Sequence, residues 1–313
     1  MTMSAAPFSL RGHVVLPKHV GSGGFDHAAV HAATGHVYVA HTANSAVDVF
    51  DPASARYLYS VPDLAAVAGA LVSDESQLVF TSNRGENTIG VFAPGPDLKV
   101  TKIAVGVRPN GLAYDAKRRL VLAANVGDQA VPHSYTLSMV DLDAGAMRAS
   151  IEVPGRTRWA VFDAEAHAFY VNIMHPSQIV VVDARRPDRL ARAMPLPADG
   201  AHGLDFDPAT RRLFCACDAG VLVTLDAGTG KVLEESRLSG VPDVVWFNPK
   251  RRQLTVAVGD PGVVDVFDTA SMNSLGSVAT EKGAHTTALP PSGDGLYVFL
   301  PTSHRAAIYR CEP

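Results

Sequence analysis

Short apolar runs, some alternating and some continuous Val, Leu and Ile, are broken at close intervals by Gly, Pro, Asn and Asp along nearly the whole chain. That pattern predicts β-strands, and no stretch of ten residues carries a competing helical period. Seven segments align with almost no gaps: FDHAAVHAATGHVYVAHT, AGALVSDESQLVFTSN, PNGLAYDAKRRLVLAANVGD, TRWAVFDAEAHAFYVNIMH, AHGLDFDPATRRLFCACD, PDVVWFNPKRRQLTVAVGD and AHTTALPPSGDGLYVFLP. Each reads as a strand, a hairpin turn and a second strand. A third strand follows in most, as in SAVDVFD, LSMVDLD and GVVDVFD, and then a more variable fourth.

The second residues of these segments are Asp26, Gly69, Asn110, Arg158, His202, Asp243 and His285, about 41 to 48 residues apart. This is the length of one four-stranded propeller blade. The prediction is an all-β fold, one seven-bladed β-propeller domain covering residues 1–313. SLRGHVVL, ahead of the first repeat, is a fourth strand without a blade, and AAIYRC, at the end, is a third strand without a successor. Pairing the two would complete blade seven and cover an open sheet edge.

Composition narrows the function. Hydrophobic residues make up 47% and charged residues 19%, as in a well-buried globular chain. The net charge is only −4 and no basic run exists, which argues against nucleic acid and anionic membranes as partners. No apolar stretch is long enough for a membrane helix. The first residues lack a basic segment followed by an apolar core, so no secretory leader is read there. The expectation is a cytoplasmic protein, or a periplasmic one if a leader has been removed. Cys215 and Cys217 share a strand face and Cys311 lies far off, an arrangement that predicts free thiols. Among known signatures, no GxSxG elbow, Walker loop, HExxH or paired CxxC is present.

RPNGLAYDAKRRLVLAANVGD and NSAVDVFDPAS resemble the YVTN-type repeat of seven-bladed bacterial propellers, which are similar to lactonase-like propellers of the phosphogluconolactonase kind. The resemblance extends over nearly the whole chain. It implies the propeller architecture and a family that includes lactonases, lyases, electron-transfer proteins and members without known chemistry. The family is often exported, from which the leaderless N-terminus departs. It supplies no catalytic motif that can be laid residue by residue onto this sequence.

In such a ring the first residue of each inner strand stands at one mouth of the central channel. Blades five, six, seven and one therefore bring His202, Asp243, His285 and Asp26 together as neighbours. Two imidazoles and two carboxylates suit a divalent transition metal such as zinc, manganese, iron or nickel, with His27 as an alternative ligand or a supporting partner. Across the channel, Arg158 would grip a carboxylate or phosphate and Asn110 would donate to a carbonyl. Asp243, if not a ligand, would serve as a base. Eight of the twelve histidines (19, 27, 41, 133, 175, 202, 285 and 304) fall on this face. The insertion GDQAVPHSYT forms a lip over it.

The ring admits several readings. One is a metal-dependent hydrolase or lyase acting on a small anionic or carbonyl-containing molecule. Another is a metal-free isomerase or cyclase using His–Asp pairs. A third is a non-catalytic scaffold for a protein or peptide partner, with a polar ring that merely lines a watery channel. Trp159 and Trp246 are expected to pack between blades rather than to stack on a ligand.

Overall fold

A computed structural model describes residues 7–97 and 99–312. Residues 1–6, on which the reading of the N-terminus partly rests, lie outside them. Apart from one 3-10 turn at Thr42–Asn44, the regular elements are strands, arranged as seven four-stranded antiparallel sheets. Blade 1 runs from the inside outward through Phe25–Val30, Val37–His41, Ala46–Asp51 and Arg56–Val61. The inner strands of blades 2 to 6 are Val67–Ser73, Pro109–Asp115, Thr157–Asp163, Ala201–Asp207 and Val241–Asn248. Inner strands of successive blades lie against one another through blade 6, and that of blade 7 returns to blade 1. The chain is a seven-bladed β-propeller.

Closure follows the two orphan strands. Phe8–Val15 pairs antiparallel with Arg305–Cys311 and forms the outer strand of blade 7. Blade 7 is irregular at its centre, where the inner strand is only Thr287–Ala288. Pro290 and Pro291 follow at once, and neither has an N–H to give to a ladder.

Burial explains why alternation fades in the sequence. Each blade is covered on both faces by its neighbours, so second strands such as Leu120–Asn125 and Ala168–Ile173 are buried at every position. Outer strands such as Ala146–Glu152 are largely exposed. Cys215 and Cys217 sit in one of the interblade cores with their sulfurs 4.0 Å apart and unbonded.

The inner strands of blades 1 to 6 all break register near the mouth, between Phe25 and Ala28, Val67 and Gly69, Pro109 and Leu112, Thr157 and Ala160, Ala201 and Gly203, and Pro242 and Val245. These bulges turn side chains that simple alternation would bury or pair. Three of them also bring backbones into close approach. A Cβ on Gly69 would strike the carbonyl oxygen of Asn110, one on Gly111 that of Arg158, and one on Gly203 that of Asp243. Only glycine lets the next inner strand come this near.

The approach to blade 1 is held by a buried polar chain. Asp48, fully buried, accepts from His41 Nδ1 at 2.6 Å and from Ser60 Oγ at 2.5 Å. His41 Nε2 meets His19 Nδ1 at 2.6 Å, and the His304 ring lies edge-on to His19 with centroids 4.4 Å apart. Five polar residues thus tie the incoming segment and the last hairpin to blade 1.

The close approach at Gly203 gives a direct test. Gly203→Ala is expected to cost on the order of 2 kcal/mol through overpacking against blade 6. Gly12→Ala, where an added Cβ meets nothing within 4 Å, should be near neutral. Thermal melting of the two variants beside the parent checks both.

Candidate functional site

Five residues of the sequence-derived ring stand in the bulges: Asp26, Asn110, Arg158, His202 and Asp243. Gly69 closes the bulge of blade 2, and His285 lies just before the short inner strand of blade 7. His202 is the centre of the arrangement. Its Nδ1 bonds Asp218 Oδ1 at 2.7 Å, and its Nε2 lies 3.4 Å from Asp243 Oδ1. Asp218 also faces Arg158, at 3.9 Å. The imidazole is therefore clamped through one nitrogen, with the other turned to the second carboxylate.

Asp243 is the electrostatic focus. Burial works against its charge, but the fields of His202, His285, His27 and Arg158 outweigh that and hold the carboxyl below the usual aspartate range. His285 is the converse case. Burial disfavours its cation, yet Asp243, Asp26 and the Gly283 carbonyl, which accepts from Nδ1 at 2.8 Å, raise its pKa. Asp26 bridges His27 Nε2 at 3.5 Å and Arg84 at 3.3 Å. Asn110 is buried, its backbone carbonyl taken by Ser82 Oγ at 2.7 Å and its side-chain oxygen without a donor among the described residues.

His27 does more than attend Asp26. It is buried, and its ring lies on Trp159 with centroids 4.2 Å apart. Blades 1 and 4 stand on opposite sides of the ring, so this contact spans the axis. Trp246 of blade 6 meets Trp159 edge-on at 5.9 Å. The two tryptophans join blade cores, as the sequence suggests, but they also floor the mouth with His27. Burial, the largest influence, pushes the His27 pKa down.

Opposite the carboxylates is a group of guanidiniums that sequence reading found only in part. The pKa of Arg156 is lowered by burial and then by the charges of Arg158, Arg84 and Arg108, which places four cations in one field. Arg84 and Arg158 each keep a buried Nε–H without an acceptor among the described residues. Arg108 and Arg156 line a cavity of about 290 Å³ with Asp128, Gln129 and Tyr135, under the insertion expected to form a lip. His133 in that insertion is exposed and pairs with Glu152 at 2.8 Å. Arg108 and Arg156 each precede the ring position of their blade by two residues, a shared column that an alignment of repeats contains. Asp218 and Arg84 each directly follow the second strand of their blade, at the start of the loop to the third.

The donor set also suits a divalent ion. His202 and His285 are both held through Nδ1, by a carboxylate and a carbonyl, which leaves Nε2 to ligate, the orientation usual in metal-binding histidines. Among the described residues, no three His, Cys, Asp or Glu side chains are already closed into a metal-holding arrangement.

No family model and no curated protein matches the chain. Among solved structures it is similar to hydrazine synthase from Kuenenia stuttgartiensis, with a TM-score of 0.80 and 13% identity over 94% of this chain and 97% of that one. A likeness at that identity supports the propeller fold.

The charge on His285 carries a pH signature. Its raised pKa means that the protonated form adds stability that is complete below about pH 6.5 and is lost as pH rises through the folded value. In EDTA-treated protein, the stability gap between the parent and His285→Gln should therefore narrow from pH 6 to pH 9. Melting curves across that range decide it. A constant gap contradicts the arrangement.

Proposed function

We propose that the mouth is the active site of a hydrolase- or lyase-type enzyme for a small organic anion. The observation that carries this is His202, fixed by Asp218 and turned on Asp243, beside a quartet of arginines of which Arg84 and Arg158 keep a buried N–H unused. A base held in one tautomer next to a cationic grip is what such chemistry requires. Arg84, Arg108, Arg156 and Arg158 would bind the carboxylate or phosphate of the substrate, and Asn110 would donate to its carbonyl. In a lactone or ester hydrolysis, His202 Nε2 would take a proton from the attacking water. The ring or ester C–O bond would break, and the departing oxygen would receive that proton back. In an elimination, the same nitrogen would take the proton beside the carbonyl, a carbon–carbon double bond would form as the C–O bond at the next carbon breaks, and the departing oxygen would receive that proton. Asp218 would stabilise the imidazolium formed in either case. The likeness of the repeats to lactonase-like propellers of the YVTN type agrees with this reading.

A second reading rests on the Nε2 atoms of His202 and His285, since both rings are anchored through Nδ1. With the ionised Asp243, and with Asp26 and His27 beside them, they would hold a divalent metal ion. Bound there, such an ion polarises a carbonyl and lowers the pKa of a coordinated water. The arginines, Asn110 and Asp218 keep the same tasks in both readings.

Assays against panels of lactones, hydroxy acids and phosphorylated sugar acids test the proposal. His202→Gln should lower kcat by about 10²- to 10⁴-fold with little change in KM. Arg156→Ala should act mainly on KM, raising it on the order of tenfold or more. Activity that survives exhaustive chelation selects the metal-free reading, and loss with recovery on adding zinc or manganese selects the other. If replacing all four arginines leaves organic-anion binding unchanged by calorimetry, the site is misassigned.

A further inference from the structure

Beyond the floor of His27, Trp159 and Trp246, the channel continues as a second and quite different space. It is a cavity of about 260 Å³, with room for roughly eight water molecules at about 30 Å³ each. Its walls are mostly apolar. Trp159, Trp246, Tyr114 and Phe162 supply aromatic surface, and Leu71, Leu112 and Leu204 fill between them. Asp205 is the one carboxyl in this wall. It stands on the inner strand of blade 5, three residues past His202, and takes no part in the mouth.

Asp205 has no cation beside it. Its Oδ1 accepts from the Phe206 N–H at 2.8 Å and its Oδ2 from the Phe247 N–H at 2.6 Å. These bonds anchor blade 5 to blade 6, but each oxygen retains a free lone pair. Burial, with help from Asp207, pushes the carboxyl up to about 7, despite the two N–H donors that work the other way. A carboxyl in an apolar aromatic chamber lacks the positive charge that would stabilise its ionised form. The outer end of the chamber is acidic. An adjoining cavity of about 340 Å³ shares Tyr114 and Phe162 and carries Asp74, Glu75 and Asp115 against Lys117 and His167. Asp115 is neutralised by Arg118 at 2.8 Å, whereas Asp74 and Glu75 are left to set the sign.

We propose that the far half of the channel binds a small organic ammonium ion, with Asp205 as its counter-charge and Trp159, Trp246, Tyr114 and Phe162 as aromatic walls. Ring faces attract cations, and a desolvated carboxylate completes the match. An inorganic cation would forgo the apolar walls, and an anion would meet Asp205 and the acidic vestibule. The site is independent of the mouth and of the chemistry proposed there.

The probe is phenethylammonium chloride, titrated by calorimetry into the full chain beside 2-phenylethanol, its neutral counterpart. The ammonium should bind one to one and on the order of tenfold or more tighter than the alcohol. Cation binding requires ionised Asp205, so affinity should fall about tenfold from pH 8 to pH 6. His27 at the floor, Tyr114 in the wall, and Lys117 and His167 in the adjoining vestibule are the other ionisable groups nearby. Asp205→Asn should abolish the preference for the ammonium, while Arg156→Ala, at the opposite mouth, leaves it intact. Should Asp205→Asn not fold, Phe162→Leu serves, with affinity reduced several-fold and the pH dependence kept. Equal binding of the two probes, a flat pH profile, or full affinity in a folded Asp205→Asn protein overturns the proposal.

Discussion

Seven inner strands must pass around one axis with their backbones nearly touching, and the carbonyls on that seam have to be received by something. The preceding blade receives them. Ser82 Oγ takes the Asn110 carbonyl, Asn172 Nδ2 takes those of His202 and Gly203, Thr286 Oγ1 takes that of Phe25, and the Trp246 indole takes that of Thr287. At Gly111 and Gly203 the hydrogen atom in place of a side chain provides the clearance. Unsatisfied carbonyls in this interior would cost about 1–3 kcal/mol each, so the seam is fixed in register. Its rigidity lets residues some forty positions apart in sequence act as fixed neighbours.

The same seam divides the channel by charge. On one side of the aromatic floor, arginines face a carboxylate–imidazole group centred on Asp243. On the other side the walls are mostly apolar and their one carboxyl is an acid whose pKa burial raises to about 7. His27, Trp159 and Trp246 separate the two. Because they come from blades 1, 4 and 6, the partition exists only when the ring is assembled.

Much of this was legible in the sequence. The repeat, the seven blades, the closing strand and the ring position follow from hydrophobic periodicity, which records burial directly. The histidine and aspartate neighbours of blades 5 to 1 follow from repeat spacing. Other parts have no such record. A bulge leaves no mark in a Val-rich strand, so the aim of Asp243 and Arg158 had to be observed. Trp159 reads as a packing residue until its opposite neighbour across the axis is known. Asp205 is one polar residue in an alternating strand, indistinguishable from a solvated one until its surroundings are seen. The shortened inner strand of blade 7 was signalled by Pro290 and Pro291.

The pairing of Phe8–Val15 with Arg305–Cys311 has a temporal meaning as well. Phe8–Val15 must wait for Arg305–Cys311, made at the far end of the propeller, before its edge is covered, so the ring cannot shut until that strand exists. Contacts of such long sequence separation slow folding and expose strand edges to neighbouring chains in the interval. Asp26, near the start, and His285, near the end, come into each other's field only at that moment. Until then the mouth is incomplete, and so are the two cores that bracket blade 7.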